Sequence, residues 1–265
     1  LLTRLFQYRF ESDGDLSGHS FGNIFLAALT GVTGDFLEAV KLTSEVLAIK
    51  GRIFPSTMED ISLVAQLEDG RVELGETNIV KAGSRIRRLS LSKQDCEPLP
   101  DTLEAIAEAD LITIGPGSLY TSIIPNLLVR GIVDCLANSP ALKVYICNIM
   151  TQPGETDGFS VADHLRVLGE YSQSLNLDYV IINSAPISRA LRQKYLREGS
   201  VQVKSSKKGW LGDPSDLPTA RRPKIISGDM LNEKDVVRHD PHKLANILIR
   251  VARSHGSLTE SVISG

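Results

Sequence analysis

The sequence predicts an α/β fold, a Rossmann-like, mostly parallel sheet flanked by helices, with a small antiparallel β insert. Three observations predict it. Short strands alternate with helices from residue 101 onward. Those strands are apolar along their whole length, as strands covered on both faces must be. Between residues 52 and 95 the hydrophobic period falls to two, the signature of strands with one wet face.

The elements follow in chain order. Leu1, Leu2, Leu5, Phe6 and Phe10 are spaced as one helix, ended by the polar run Glu11–Asp15. Phe21–Leu29, closed by Gly31, and Asp35–Ile49, stopped by Gly51, read as two more. Ile61–Leu67, the turn Glu68-Asp69-Gly70 and Arg71–Leu74 form a hairpin signal, and Arg85–Leu91 alternates likewise. Asp101-Thr102-Leu103-Glu104 opens a helix to Glu108. Leu111–Ile114 is then a buried strand, followed by a glycine-rich turn and an apolar helix ending near Leu136. Lys143–Asn148 and Asp178–Ile182 are further strands; helices are expected at 161–175 and 187–197. Residues 199–222, rich in Gly, Ser, Lys and Pro, read as a mobile loop, and Asp240-Pro241 starts a last helix through Val251.

The 265 residues are read as a single domain, 1–265. Apolar residues at 42% and charged residues at 23% are ordinary for a globular chain. A net charge of -3 gives no electrostatic reason to expect nucleic acid or a membrane surface as partner. Cys96, Cys135 and Cys147 are dispersed without C-x-x-C spacing, which fits a reducing, cytoplasmic compartment. Cys147, inside an apolar run, reads as a small core residue. No run of apolar residues reaches membrane-spanning length, and no charged-then-apolar leader opens the sequence.

In an open parallel sheet, ligands bind beyond the carboxyl ends of the strands. Two loops fall there. Gly115-Pro116-Gly117-Ser118 joins a strand to a helix, so its backbone N–H groups and the helix's positive end could hold a phosphate. Ser118, Tyr120, Thr121 and Ser122 follow; a tight turn with hydroxyl caps is the structural alternative. It is neither a P-loop nor a G-x-G-x-x-G fingerprint. The second loop, 148–158, offers Asn148, Thr151, Gln152, Glu155 and Asp157 to a ribose, a base or a magnesium ion, or else is a solvated turn capped by Ser160. Gly18-His19-Ser20-Phe21-Gly22 fits G-x-S-x-G, but a polar turn precedes it where a nucleophile elbow needs a strand. His19, Ser20 and Asn23 at a helix N-terminus are the better ligand candidates. Lys204, Lys207, Lys208 and Trp210 make a basic patch that reads first as a solvated loop, and Arg238-His239 could meet a phosphate as a fork donor or simply be an exposed pair before the last helix.

Four blocks then carry a family resemblance: residues 5–10 (LFQYRF), 18–23 (GHSFGN), 115–128 (GPGSLYTSIIPNLL) and 148–164 (NIMTQPGETDGFSVADH). In this order they resemble the bacterial gluconeogenesis-factor family, related to the CofD-type 2-phospho-L-lactate transferases. The resemblance covers residues 1 to about 200 and, more loosely, Arg238-His239. It implies a Rossmann-like sheet and a small-molecule nucleotide ligand. In the first branch that ligand is a UDP-sugar, bound in a regulatory role in central carbon metabolism and cell-wall growth or cell shape. The pyrophosphate would then lie at Gly115 to Ser118, Asn148, Thr151 and Glu155 near the nucleoside, and Tyr195 and Arg238 closing the site. No catalytic or metal-ligating residue and no cofactor is implied there, and a homo-oligomer is compatible with it. The transferase branch implies magnesium and transfer of a phospholactyl group to a deazaflavin in coenzyme F420 synthesis, with Asn148 and Glu155 bordering a metal-bound diphosphate. Both branches carry, upstream of the segment matching residue 1, a glycine-rich strand–turn–helix that is absent from these 265 residues. The resemblance therefore reads the chain as a fragment whose Gly115 loop is half of a phosphate site.

Overall fold

A computed structural model describes residues 5–6, 8–10, 16, 19–47, 51–204, 222–234 and 236–254. Two compact units emerge, Leu1–Glu59 with Leu99–Thr102, and Asp60–Pro98 with Leu103–Gly265.

In the first unit, α1 (Phe21–Thr33) starts where the Ser20 hydroxyl accepts from Asn23 N–H at 3.2 Å, and it runs past Gly31 to a left-handed cap at Gly34. The second helix, α2 (Phe36–Val46), is capped by Asp35, which accepts from Glu38 N–H at 2.9 Å. The helix expected over residues 1–10 is corrected in part. Leu5-Phe6 is helical, but Tyr8–Phe10 is extended, with Arg9 bridging Ser20. Apolar spacing misled there because Phe6 is held by ring contacts, at 5.5 Å to Phe21 and 5.0 Å to Phe25. The rest of that element and Glu11–Asp15 lie outside the described residues.

In the second unit, β1 (Leu63–Leu67), β2 (Val72–Leu74) and β3 (Ile86–Leu91) form the antiparallel insert, in the order β2-β1-β3. A short helix not expected from the sequence, α3 (Glu76–Lys81), links β2 to β3. After α4 (Pro100–Ala107) comes the main sheet: β4 (Leu111–Ile114), β5 (Leu142–Ile146), β6 (Tyr179–Asn183) and β7 (Lys224–Gly228), all parallel and in the order of the chain.

Alternation along these strands builds a core on each face. Tyr145, Cys147, Val180 and Ile182 pack against α6 (Ile132–Asn138) and α7 (Val161–Tyr171) through Leu136, Leu165 and Leu168. Leu142, Val144, Ile146, Tyr179 and Ile181 pack on the other face against Leu244, Ile247 and Val251 of the last helix. A third cluster joins Ala65, Leu67 and Leu89 of the insert to Leu119, Tyr120 and Ile124. Burying a side chain of this size stabilises the fold by roughly 1.5–3 kcal/mol. Cys147 is a core residue, as its setting in the sequence implies.

Two further expectations are corrected. The helix from the glycine turn to Leu136 is broken into a π-helical turn (Leu119–Ile123), α5 (Ile124–Leu127) and α6, because Gly131 takes φ +78° between the last two. The loop expected from residue 199 is ordered up to 204: Gln202 bridges Met150, Lys204 bridges Ser160, and Ser200 and Val203 are buried. The rest of it, with Lys207, Lys208 and Trp210, lies outside the described residues. The chain continues through α8 (Arg189–Arg197), and after β7 the pair β8 (Leu231–Asn232) and β9 (Arg238–His239) leads into α9 (Pro241–Ser254). Among the described residues no single helix is long and apolar enough to cross a membrane.

Candidate ligand-binding site

The carboxyl ends of the four parallel strands deliver four loops to one edge of the sheet. After β4 the backbone turns at Gly115 with φ +82°. A Cβ there would stand 3.0 Å from the Ile146 carbonyl oxygen and 3.2 Å from Ile123 Cδ1, so the turn presses on β5 at a distance only glycine allows. Ser118 then begins the π-helical turn, its carbonyl accepting from Ser122 N–H at 3.0 Å and Ile123 N–H at 2.9 Å.

The loop after β5 is bolted to this turn at two points. Gln152 Nε2 donates to Ser118 Oγ at 2.6 Å, and Thr121 Oγ1 donates to Glu155 Oε1 at 3.3 Å. The Gln152 side of the bolt is fixed by its own backbone. Its N–H donates to Thr156 Oγ1 at 2.9 Å, and its carbonyl accepts from Glu155 and Thr156 N–H. With Ser118 Oγ accepting from the amide, its hydroxyl proton is not used in that bond, and Ser118 is half-buried; Gln152 Oε1 is buried without a hydrogen-bond partner.

Glu155 is 3% exposed and its Oε2 is buried without a hydrogen-bond partner. Burial raises its carboxyl pKa, while the Thr121 hydroxyl and the Tyr120 and Thr121 backbone pull the other way. The carboxyl thus meets the first turn of the helix from within. Thr151 is buried too: its hydroxyl accepts from Val201 N–H at 2.9 Å, and its N–H donates to the Val201 carbonyl at 2.8 Å. Tyr120 sits in the core beside Leu119 and Ile124, where burial raises its phenol.

The segments after β6 and β7 are joined by Ser188 N–H, which donates to Glu233 Oε1 at 2.7 Å, and by the Asn183 amide. Asn183 Oδ1 accepts from Met230 N–H at 3.0 Å while its Nδ2 donates to the Ala185 carbonyl at 2.8 Å. From Met230 the chain runs to β9, where Tyr195 Oη accepts from Val237 N–H at 3.0 Å. That bond brings Tyr195 on α8 beside Arg238, which is exposed. Next to it, His239 keeps Nε2 buried without a partner, and burial holds its imidazole pKa low.

The structure therefore gathers Gly115, Pro116, Gly117, Ser118, Asn148 and Gln152 on adjoining loops, and separately brings Tyr195 next to Arg238 through Val237. Thr151, Glu155 and Tyr120 support these loops from the interior. His19, Ser20 and Asn23 belong to the other unit, at the first turn of α1. Ser20 acts there as a helix cap, with its hydroxyl taken by Asn23 N–H. Asn183 was not singled out in the sequence, although a polar residue closing an otherwise apolar strand is a signal for it.

A family model described as 2-phospho-L-lactate transferase CofD matches residues 1–212. A gluconeogenesis factor of Bacillus subtilis (strain 168) is 43% identical over 249 residues, spanning 94% of this chain and 76% of that protein. One from Halalkalibacterium halodurans is 41% identical over 249 residues, spanning 94% and 75%. A crystal structure of a UPF0052-family protein from Bacillus halodurans overlays with a TM-score of 0.81 at 42% identity, covering 94% of this chain and 77% of that one.

Proposed function

This chain belongs to the CofD family and, within it, to the gluconeogenesis factors, and from that premise we propose that it binds a UDP-sugar as a regulator of central carbon metabolism and cell shape. The observation that carries the reading is the bond from Gln152 Nε2 to Ser118 Oγ. It leaves the Ser118 hydroxyl proton uncommitted by that bond, beside a glycine turn at the start of a helical segment, where a pyrophosphate oxygen would accept it. Tyr195 and Arg238, joined through Val237, supply an aromatic ring and a fork donor for the rest of the nucleotide.

The family match also carries the transferase reading, with magnesium. Among the described residues no three His, Cys, Asp or Glu side chains gather to hold a metal ion. The carboxyl near the loop, Glu155, is buried and biased toward its neutral form. These residues do not by themselves fit magnesium.

A thermal-shift panel on the full chain separates the two. UDP-glucose should raise Tm; a ligand at one hundred times its Kd adds about 2.7 kcal/mol. Ser118→Ala should weaken that binding about tenfold, the worth of one hydrogen bond to a charged oxygen. Stabilisation by GDP with magnesium but by no UDP-sugar overturns the proposal.

A further inference from the structure

A cavity of about 550 Å³ opens beyond β5 and β6, a volume suited to a small organic ligand. Met150 and Phe159 form its wall on the β5 side, Ile187 and Leu196 its wall on the α8 side, and residues 200–204 close it. None of Gly115 to Ser118 lines it.

Most polar groups around it are already committed. Gln202 accepts from Ile187 N–H at 3.2 Å and donates to the Ala185 carbonyl at 2.8 Å, while Ser200 Oγ donates to the Thr151 carbonyl. Those bonds also fix the wall, since Gln202 forms an antiparallel bridge with Met150, which lines the same cavity. Two cations remain. Arg192 and Lys204 both line the cavity, and neither side chain has an ion pair or hydrogen bond among the described residues. Among the described residues no carboxylate lines it. Apolar walls with two uncommitted positive groups, and among the described residues no negative one, select a ligand with a greasy body and an anionic head.

We propose that this cavity is a second binding site, taking a phosphate monoester with an apolar body, its head on Arg192 and Lys204 and its body against Met150, Phe159 and Leu196. Two cations match the double charge of a phosphate monoester at neutral pH. The site is separate from the glycine turn.

Phenyl phosphate is the probe, titrated calorimetrically into the full chain beside inorganic phosphate and phenol. Phenyl phosphate should bind saturably, one per chain, at least tenfold more tightly than either fragment. The double variant Arg192→Gln/Lys204→Gln should lower that affinity at least tenfold, and Leu196→Glu, at an exposed helix position, should do the same by repelling the head. Unchanged phenyl phosphate binding in these variants, or inorganic phosphate binding as tightly as phenyl phosphate, overturns the proposal. Titration of UDP-glucose in parallel keeps the two readings apart. A chain that binds UDP-glucose but no phenyl phosphate loses this site and keeps the proposed function; the converse loses the function and keeps the site.

Discussion

Replacing Gly115 by alanine imposes two separate costs, and a second glycine isolates one of them. At Gly115 the backbone has φ +82°, and an added Cβ would meet the Ile146 carbonyl oxygen at 3.0 Å and Ile123 Cδ1 at 3.2 Å. At Gly131 φ is +78°, and the added Cβ would meet nothing within 4 Å. The left-handed backbone costs an alanine about 1–2 kcal/mol at either position. The overlap at Gly115 adds about 1–3 kcal/mol more, because neither the β5 backbone nor the buried Ile123 can retreat freely. Gly131→Ala should therefore lose about 1 kcal/mol and Gly115→Ala about 3. For a chain of this size roughly 2 °C of Tm follows each kcal/mol, so circular-dichroism melts should fall by about 2 °C and about 6 °C respectively. Equal drops would show that the turn does not press on β5, and the geometry assigned to the glycine turn would fail with it.

Other expectations concern the supports of that edge. Gln152→Leu removes the bond that orients Ser118 and should weaken UDP-glucose binding about fivefold to tenfold, measured calorimetrically, with Tm lowered by no more than a few degrees. Thr151→Val deprives Val201 N–H of its acceptor; it should cost about 1 kcal/mol in urea denaturation and speed hydrogen exchange at Val201. Glu155 has its pKa raised in the fold, so wild-type stability is penalised as pH rises above the unfolded value, near 4.5. Glu155→Gln should gain on wild type as pH rises from 4 to 8, measured in pH-dependent melts, and a constant difference would contradict the assignment. His164 is fully buried, its Nδ1 2.8 Å from the Ser160 carbonyl, and burial lowers its pKa. Its share of stability is present above the unfolded value of 6.5 and is lost as pH falls through the depressed folded one. His164→Leu should flatten that acid-side loss in pH-dependent melts.

What could be read from the sequence follows from where each signal originates. β4, β5 and β6 were legible because helices cover both their faces, which demands unbroken apolar runs. β7 was not: Lys224-Ile225-Ile226-Ser227-Gly228 lies at the sheet edge and alternates with exposed positions. Residues 200–204 looked like loop because their order comes from pairing with Met150 and Ser160, contacts distant in sequence. The same limit applies to the site. The two loops could be located at the ends of β4 and β5, since loop position depends on strand position. Whether Thr151 and Glu155 face inward depends on Val201 and Thr121, partners that local composition does not reveal.

The parallel strands stand in the sheet in the order in which the ribosome makes them. Each new strand thus finds the edge of its predecessor already laid down, and no earlier pair must open to admit it. The exception to easy assembly is the last step. The connection from β6 to β7 runs from residue 184 to 223, so closing it carries the greatest chain-entropy cost of the three. Until Gly228 has been synthesised, β6 presents a bare row of amides and carbonyls on its outer side. During that interval the nascent protein is most open to pairing with a neighbour of its own kind.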